Sequence, residues 1–399
     1  MSRNKPTKKK KLFNKKYSPD NLILYFTIFM AIFGAIMIFD ASVYKANEEF
    51  GNPFHFLKLQ TVWIFIGALA ATLIYFWDYK KLLKASVPIL VIIIILLILV
   101  LILGEDINGA KRWFSIGPLP PIQPAEPAKV GIILYLSSWM SSNKYFQEST
   151  KVELRGSFLK AFLGFGAIVG IVALLIMLEP DLGTTMIIGL TSFTMFFVAK
   201  NGWDHTKYTL GSLLLLGTPL VAIATILAPY RLGRMRTYLD LLLTGEISDP
   251  RGDGYQMQQI LIGIGSGGFL GKGFGQSRQR YGYLVENTAF TDSIYAIILE
   301  ELGFLGGTIL VIAWLVFLWR GFKIANNAPD KQGKLLATGV TIWLTLQALL
   351  NMGANTGLIP LTGIPAPLLS YGGSSTIVTF IGIGILLNIS KYSTKENGR

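Results

Sequence analysis

Runs of about 20 apolar residues recur along the chain and constrain its fold more than any other feature. An apolar helix of that length spans the hydrocarbon core of a bilayer, and it satisfies its own backbone hydrogen bonds there. Hydrophobic residues make up 52% of the 399 residues and charged residues only 15%, which argues against a soluble globular protein. We therefore predict an all-α polytopic membrane protein.

The hydropathy pattern predicts ten transmembrane helices in a single domain of residues 21–390. A basic tail, residues 1–20, precedes this domain, and a short tail, residues 391–399, follows it. Between helices seven and eight we expect a large polar loop at about 230–292. The predicted spans are 21–41, 56–77, 85–103, 128–140, 159–178, 183–199, 209–229, 293–319, 335–352 and 374–389.

The distribution of basic residues predicts the orientation. If the N-terminus is cytoplasmic, the cytoplasmic segments carry 24 of the 36 Lys and Arg residues, as the positive-inside rule requires. Both termini are then cytoplasmic and the long loop lies outside. The net charge of +13 therefore reflects membrane topology and does not indicate nucleic-acid binding. With no cysteine and two histidines, we expect neither disulfides nor a histidine-based metal site.

The conspicuous polar motifs all fall on the predicted outer side. Glu126 and Lys129 are spaced to pair on a helix that Pro127 begins, either as an interfacial ion pair or as the lining of an outward cavity. Glu179 and Asp181 join two spans with almost no linker, and such carboxylates are costly near hydrocarbon unless paired or hydrated. Asp181 is either the cap of the next helix or part of a wet cavity.

The long loop contains a basic cluster, a glycine-rich run and an acid. Arg231 and Arg234 suit phosphate oxygens, or they are interfacial anchors. The glycine-rich run, 263–275, matches G-x-G-x-x-G, but no βαβ unit surrounds it, so we expect close helix packing or a re-entrant turn. Asp292 begins a span, either as a helix cap or as a carboxylate that accepts a proton. Glycines and prolines in 351–375 exclude a straight helix there.

Together these motifs resemble the SEDS family of bacterial cell-wall polymerases, the FtsW, RodA and SpoVE proteins, and are most similar to FtsW. The resemblance covers nearly the whole chain from about Asp20. Its motifs, in chain order, are NGAKRW at 108–113, QPAEPAK at 123–129, EPDLGT at 179–184, GYQMQQ at 254–259, TD at 291–292, EELG at 300–303 and SYGGSS at 370–375.

The resemblance implies a fold similar to the GT-C glycosyltransferases and O-antigen ligases. It implies a peptidoglycan glycosyltransferase that polymerises lipid II into β-1,4 glycan strands with inversion, in cell division or cell-wall elongation. The enzyme would act at the outer face of the bacterial cytoplasmic membrane. A class B penicillin-binding protein and other divisome or elongasome proteins would be its partners. No tightly bound cofactor is expected, and dependence on a divalent cation stays open.

The resemblance maps the family's essential aspartate to Asp292, and the chemistry of an inverting transfer suggests roles for this and the other polar residues. Asp292 would be the catalytic base, and Glu126 would position Lys129. The pyrophosphate contacts would come from Lys129, Arg112, Arg231 and Arg234. Supporting roles would fall to Asp181, Gln256, Glu301, Ser370 and Ser374.

The chain departs from the usual family pattern just before Asp292. Val285 stands where the family has proline, Phe290 where it has histidine, and two residues are inserted. Pro127 is likewise new within the QPSE element. The loop is therefore expected to approach the acceptor differently.

Two other classes of function compete with a polymerase. A flippase for lipid II would also have an outward cavity, but it would place polar groups along a path through both leaflets. A scaffold for the crosslinking partner would not need Asp292, Glu126 and Lys129 together. The outward position of the polar motifs favours an enzyme at the outer face.

Overall fold

The structure, a computed structural model, describes residues 18–107, 110–115, 121–147, 154–200, 203–217, 219, 222, 229–247, 249, 252, 254–281 and 288–392. Most of this part of the chain is helical, which confirms the predicted all-α class. Its α-helices are α1 (Asn21–Phe50), α2 (His55–Phe76), α3 (Tyr79–Lys84), α4 (Ser86–Leu103), α5 (Ala125–Ser142), α6 (Lys144–Gln147), α7 (Leu154–Leu178), α8 (Leu182–Val198), α9 (Trp203–Ser212), α10 (Pro229–Thr244), α11 (Tyr255–Gly267), α12 (Ile294–Asn326), α13 (Lys331–Asn355) and α14 (Gly373–Ser390).

Seven segments of the described chain are long and apolar enough to cross a membrane. They are α1, α2, α4, residues Phe158–Leu178 of α7, α12, α13 and α14. The predicted fourth and sixth spans lie in α5, of 18 residues, and α8, of 17 residues. The predicted seventh span begins in α9 and continues through a π-helical turn, Leu213–Gly217. Most of its remaining residues, 218–228, lie outside the described residues. The chain is thus a polytopic membrane protein.

Helices α13 and α14 form the centre of the molecule. Of the most apolar stretch of each helix, 78% is buried in α13 and 72% in α14, whereas only 11% is buried in α2. Peripheral helices expose large apolar side chains such as Phe65 and Phe76, which suits contact with lipid. Close packing of α14 on α2 depends on Gly384, because a Cβ there would lie 2.7 Å from the carbonyl oxygen of Ala71.

A short antiparallel hairpin lies between α4 and α5. It pairs β1 (Glu105–Ile107) with β2 (Ala110–Trp113), and a bridge between Phe114 and Ile122 extends the contact. The hairpin carries the polar motif that precedes α5. It therefore brings Arg112 to the turn between α7 and α8.

The glycine-rich run packs against a break in α12. Gly303 has φ 66° and ψ −171°, which interrupts the helix. The N–H of Lys272 donates to the carbonyl of Glu300 at 3.0 Å, and the N–H of Phe304 donates to the carbonyl of Gly268 at 2.9 Å. The run thus replaces helical hydrogen bonds that the break removes. This agrees with the predicted close packing and not with a nucleotide site.

Two helices, α10 and α11, occupy the segment predicted as a polar loop. On α10, residues Arg234 and Tyr238 are one turn apart, and both donate to carbonyls of the segment between α13 and α14. The acceptors are Leu361, 3.2 Å from Arg234 Nη1, and Leu358, 2.9 Å from the Tyr238 hydroxyl. Helix α10 is therefore docked against the broken segment 356–372.

Candidate active site

A cavity of about 630 Å³ opens where the broken segment, the hairpin and α10 meet. This volume is within the usual range for sites that bind small molecules. Its lining brings together side chains that are far apart in the sequence. Six of the predicted site residues line it, namely Arg112, Glu126, Asp181, Arg234, Asp292 and Ser374.

Asp292 lies in the turn just before α12 and faces the cavity. The N-cap residue of α12 is Ser293, so Asp292 does not occupy the predicted cap position. The hydroxyl of Thr291 donates to Asp292 Oδ1 at 3.1 Å. Burial raises the pKa of the Asp292 carboxyl, against the opposing effects of nearby donors and of the Arg234 guanidinium. A raised pKa suits a carboxylate that accepts a proton near neutral pH.

Arg234 and Asp292 both border one small space beside Gly363. A Cβ built on Gly363 would lie 3.8 Å from Arg234 Nη1 and 3.9 Å from Asp292 Oδ2. Gly363 itself has a φ of 67°, a conformation that favours glycine. The fold therefore places a cation and an acid around a space kept open by the missing side chain.

Arg112 is held at the cavity wall by two carbonyls. Its Nε donates to the carbonyl of Glu179 and its Nη2 to that of Pro180, both at 2.7 Å. The Glu179 side chain is fully buried. Its pKa is raised to about 8, first by burial and then by the charge of Asp181, while Arg112 opposes the shift. Arg112 thus ties the hairpin to the α7–α8 turn beside the cavity.

Asp181 caps α8 and also lines the cavity, so it combines features of both of its interpretations. Its Oδ1 accepts from the Thr184 N–H at 2.9 Å, and its Oδ2 accepts from the Thr184 hydroxyl at 2.8 Å. The Gln123 side-chain amide also donates to Asp181 Oδ2, at 3.2 Å. The carboxylate therefore fixes the start of α8 and the approach to α5.

Glu126 and Lys129 form the ion pair predicted from their spacing. Lys129 Nζ lies 2.9 Å from Glu126 Oε1 and 3.0 Å from Gln347 Oε1, with the Trp343 ring centroid at 5.7 Å. Only 1% of Lys129 is exposed, so its ammonium lies behind the cavity wall and not in the cavity. A direct Lys129–phosphate contact is therefore not what the structure shows. A buried ammonium needs several partners, and Glu126, Gln347 and the Trp343 ring are the partners of this one.

Of the remaining predicted residues, Gln256 and Ser370 bind residues adjacent to Asp292, and Ser374 binds the segment before α5. Gln256 Nε2 lies 3.3 Å from the Ser293 hydroxyl, and the Ser370 hydroxyl donates to the Thr291 carbonyl. Ser374 accepts from the Gln123 N–H at 3.1 Å. The structure does not describe the side chain of Arg231, although the backbone of this residue belongs to α10. Of the altered stretch 284–292, residues 284–287 also lie outside the described residues, whereas Phe290 is described.

Glu301 is not at the cavity. It is fully buried in α12 and accepts from the Ser277 N–H at 3.0 Å. Glu301 follows Asp292 by nine positions, most of them in α12, which corresponds to roughly 13 Å along the helix axis. Its place beside the glycine-rich run indicates a structural role.

The sequence singled out neither Gly363 nor two asparagines of α13. The side-chain amides of Asn351 and Asn355 both donate to the Asp292 carbonyl, at 2.7 and 2.8 Å. Two amides at i and i+4 in an apolar helix were the available signal, because such groups are costly in a membrane unless they are used. Gly363 had no comparable signal, since only its position in space gives it importance.

Comparisons with known proteins agree with this architecture. Stage V sporulation protein E of Bacillus subtilis is 39% identical over 95% of this chain and 99% of the relative. A probable peptidoglycan glycosyltransferase FtsW of Halothiobacillus neapolitanus is 34% identical, with 95% of this chain and 88% of the relative aligned.

Solved structures share the fold over nearly the whole chain. A chain of a peptidoglycan synthase complex that coordinates polymerization and crosslinking matches with a TM-score of 0.73 and 28% identity, covering 93% of this chain and 97% of that one. The rod shape determining protein RodA of Thermus thermophilus matches with a TM-score of 0.65 and 25% identity, covering 95% and 98%.

A family model covers the same region as the transmembrane domain. The model for the FtsW, RodA and SpoVE proteins, described as cell cycle proteins, matches residues 20–395. It therefore includes the hairpin, the helices and every residue that lines the cavity. The chain belongs to the FtsW/RodA/SpoVE family of cell cycle proteins.

Proposed function

We propose that this protein is a peptidoglycan glycosyltransferase that polymerises lipid II into β-1,4 glycan strands at the outer face of the cytoplasmic membrane. The observation that carries the proposal is the approach of Asp292 and Arg234 to one space beside Gly363, inside a cavity at a predicted membrane edge. Relatives named as probable peptidoglycan glycosyltransferases support the same chemistry.

The reaction inverts the configuration of the donor sugar. The acceptor 4-hydroxyl attacks C1 of the donor, the bond from C1 to the pyrophosphate oxygen breaks, and the hydroxyl proton is transferred to Asp292. Inverting glycosidases likewise use one carboxylate to take the proton from the attacking group. The Asp292 carboxylate suits this role because it faces the cavity in the turn before α12.

The leaving group needs positive charge in place of a proton. Pyrophosphate departs as an anion, and preorganised cations stabilise that charge as it develops. Arg234 and Arg112 line the cavity and are the proposed contacts. Arg231, a residue of α10, is proposed as a third contact. Lys129 acts indirectly in this scheme, because it fixes Glu126, which lines the cavity.

The proposal includes the surroundings of the enzyme. Similarity to a chain of a peptidoglycan synthase complex supports a crosslinking partner, which we take to be a class B penicillin-binding protein. Other divisome or elongasome proteins would join this pair in cell division or cell-wall elongation. Both termini would be cytoplasmic and α10 and α11 extracytoplasmic, as the distribution of basic residues favours.

The orientation is testable because the chain contains no cysteine. Glu246, exposed just after α10, and Asn326, exposed at the end of α12, offer matched sites for a single cysteine. In intact spheroplasts, a membrane-impermeant maleimide is expected to label Glu246→Cys, and to label Asn326→Cys only after lysis. The reverse pattern would overturn the outward active site.

The function itself is tested with purified protein and labelled lipid II in detergent, with and without the crosslinking partner. Glycan strands longer than the starting disaccharide are expected. A flippase would instead move labelled lipid II across liposome membranes without making polymer, so both products are measured on the same preparation. Transport without polymer would reject the proposal in favour of the flippase.

The space beside Gly363 predicts a large effect of a single methyl group. Gly363→Ala is expected to lower polymerisation at least about tenfold, because the methyl fills space that Arg234 Nη1 and Asp292 Oδ2 both border and that the substrates would need. Gly357→Ala is the control, since Gly357 also has a positive φ, 73°, but among the described residues its Cβ would meet only Leu241 and Leu261. Strand formation and thermal stability are measured for both.

The two variants carry a similar cost of left-handed backbone, about 1–2 kcal/mol each. Their stabilities should therefore fall together while their activities differ. Equal activities would mean that the space beside Gly363 is not where the substrates react.

A further inference from the structure

Two asparagines of α13 hold the backbone of Asp292. The amides of Asn351 and Asn355 donate to the Asp292 carbonyl oxygen, which has two lone pairs to accept them. The Asn351 amide also donates to the Ile364 carbonyl at 2.7 Å, and the Asn355 amide to the Asn351 carbonyl at 2.9 Å. Both side chains are 1% exposed. They therefore connect Asp292 to α13 and to the broken segment at once.

The two residues before Asp292 are held by the SYGGSS motif in the same way. The Tyr371 N–H donates to the Phe290 carbonyl at 2.8 Å, and the Ser370 hydroxyl donates to the Thr291 carbonyl. Three successive carbonyls, those of residues 290 to 292, are thus each bound from outside their own segment. We call this set of hydrogen bonds the carbonyl clamp.

The clamp acts where local structure is weak. Residues 291–293 form only a turn between a single 3-10 turn, Thr288–Phe290, and the start of α12. A short turn has few backbone hydrogen bonds of its own, so contacts from outside decide its position. A displacement of about 1 Å in a reacting group can cost on the order of 10²-fold in rate.

We propose that Asn351 and Asn355 are positioning residues, which fix the Asp292 carboxylate by holding the carbonyl of the same residue. This inference rests on the proposed function, because Asp292 matters most if it accepts the acceptor proton. The asparagines do not line the cavity; they act through Asp292. Their loss should therefore slow the reaction without weakening the binding of lipid II.

Asn388 provides a control with the same chemistry elsewhere. It is fully buried in α14, and its amide donates to the carbonyls of Ile74 and Tyr75, both at 2.8 Å. These carbonyls lie at the end of α2, away from the cavity lining. Replacing this residue removes a buried amide that binds carbonyls and leaves Asp292 untouched.

The experiment compares Asn355→Leu with Asn388→Leu in the full-length protein with its crosslinking partner. For Asn355→Leu, kcat for strand formation is expected to fall at least about tenfold with KM within about twofold, because orientation is lost and substrate binding is not. Asn388→Leu is expected to lose stability but to keep kcat within about twofold. If Asn355→Leu does not fold, Asn355→Asp removes the donor with almost no change in size.

Two further measurements separate positioning from a general structural role. Hydrogen exchange at residues 288–294 should accelerate in the Asn355 variant but not in the Asn388 variant. In a protein that already carries Asp292→Asn, adding Asn355→Leu should lower kcat by less than about a further twofold. The effects of two residues on kcat do not add when one acts through the other.

Each outcome is decisive. Unchanged kcat in a folded Asn355 variant, or a full additional loss on the Asp292→Asn background, would overturn the positioning role alone. If the wild type makes no polymer, the proposed function is overturned. If hydrogen exchange at 288–294 still accelerates in Asn355→Leu, the carbonyl clamp remains as a structural feature only.

Discussion

The Asp292→Asn variant is expected to fold and insert normally and to form glycan strands at least about 10²-fold more slowly than wild type. Asparagine has nearly the same size but cannot take a proton from the acceptor hydroxyl. Folding should survive because Ser293, and not Asp292, occupies the N-cap of α12. The backbone carbonyl that binds Asn351 and Asn355 is also retained. Strand formation from labelled lipid II measures the loss.

Asp330→Asn is the matched control for this change. Asp330 caps α13 through the Gly333 N–H at 2.7 Å, and asparagine caps a helix about as well as aspartate. Its activity should stay within about twofold of wild type. Asp292→Glu should recover only part of the activity, because the extra methylene displaces the oxygen. If Asp292→Asn forms polymer at wild-type yield, Asp292 is not the base. The candidates are then Glu126 and Glu286, the latter outside the described residues.

The second large effect is expected at Arg234. Arg234→Ala should lower kcat/KM by about 10²-fold, the usual cost of losing a preorganised contact to developing charge. Arg234→Lys should recover little, because a guanidinium binds a phosphate group with two parallel hydrogen bonds and an ammonium does not. The position of Arg234 at the cavity wall, fixed by the Leu361 carbonyl, makes it the leading candidate.

Arg236→Ala is the control on the same helix. Arg236 is exposed and absent from the cavity lining, so its loss removes equal charge from α10 without touching the site. Kinetics with lipid II for both variants, at matched expression, give the comparison. If Arg234→Ala and Arg236→Ala behave alike, the arginines of α10 serve as interfacial anchors, and the pyrophosphate binds elsewhere.

The sequence predicted those features that depend on local geometry. The spacing of Glu126 and Lys129 was enough for their ion pair, because residues three apart on a helix are neighbours. The cap formed by Asp181 followed from its place before an apolar run. Apolar runs of bilayer length likewise predicted the polytopic fold.

Features that depend on tertiary contacts were beyond the sequence. The local sequence does not show whether the Lys129 ammonium lies in the cavity or behind its wall. Its position depends on a hydrogen bond to Gln347, a residue of another helix. Helices α10 and α11 were not predicted because a hydropathy pattern identifies helices that span the membrane and not helices outside it. The gap at Gly363 exists only because α10 and the turn before α12 converge on it.

The most direct test of the account is the pH dependence of strand formation. A base must be deprotonated to act, and the buried Asp292 carboxyl has a raised pKa, so the wild-type rate should rise with pH through a midpoint above the ordinary range of an aspartate. The residual rate of Asp292→Asn should lack this acidic limb. The same limb in Asp292→Asn, or a wild-type rate independent of pH from the acid range to neutrality, would contradict the assignment of Asp292 as the base.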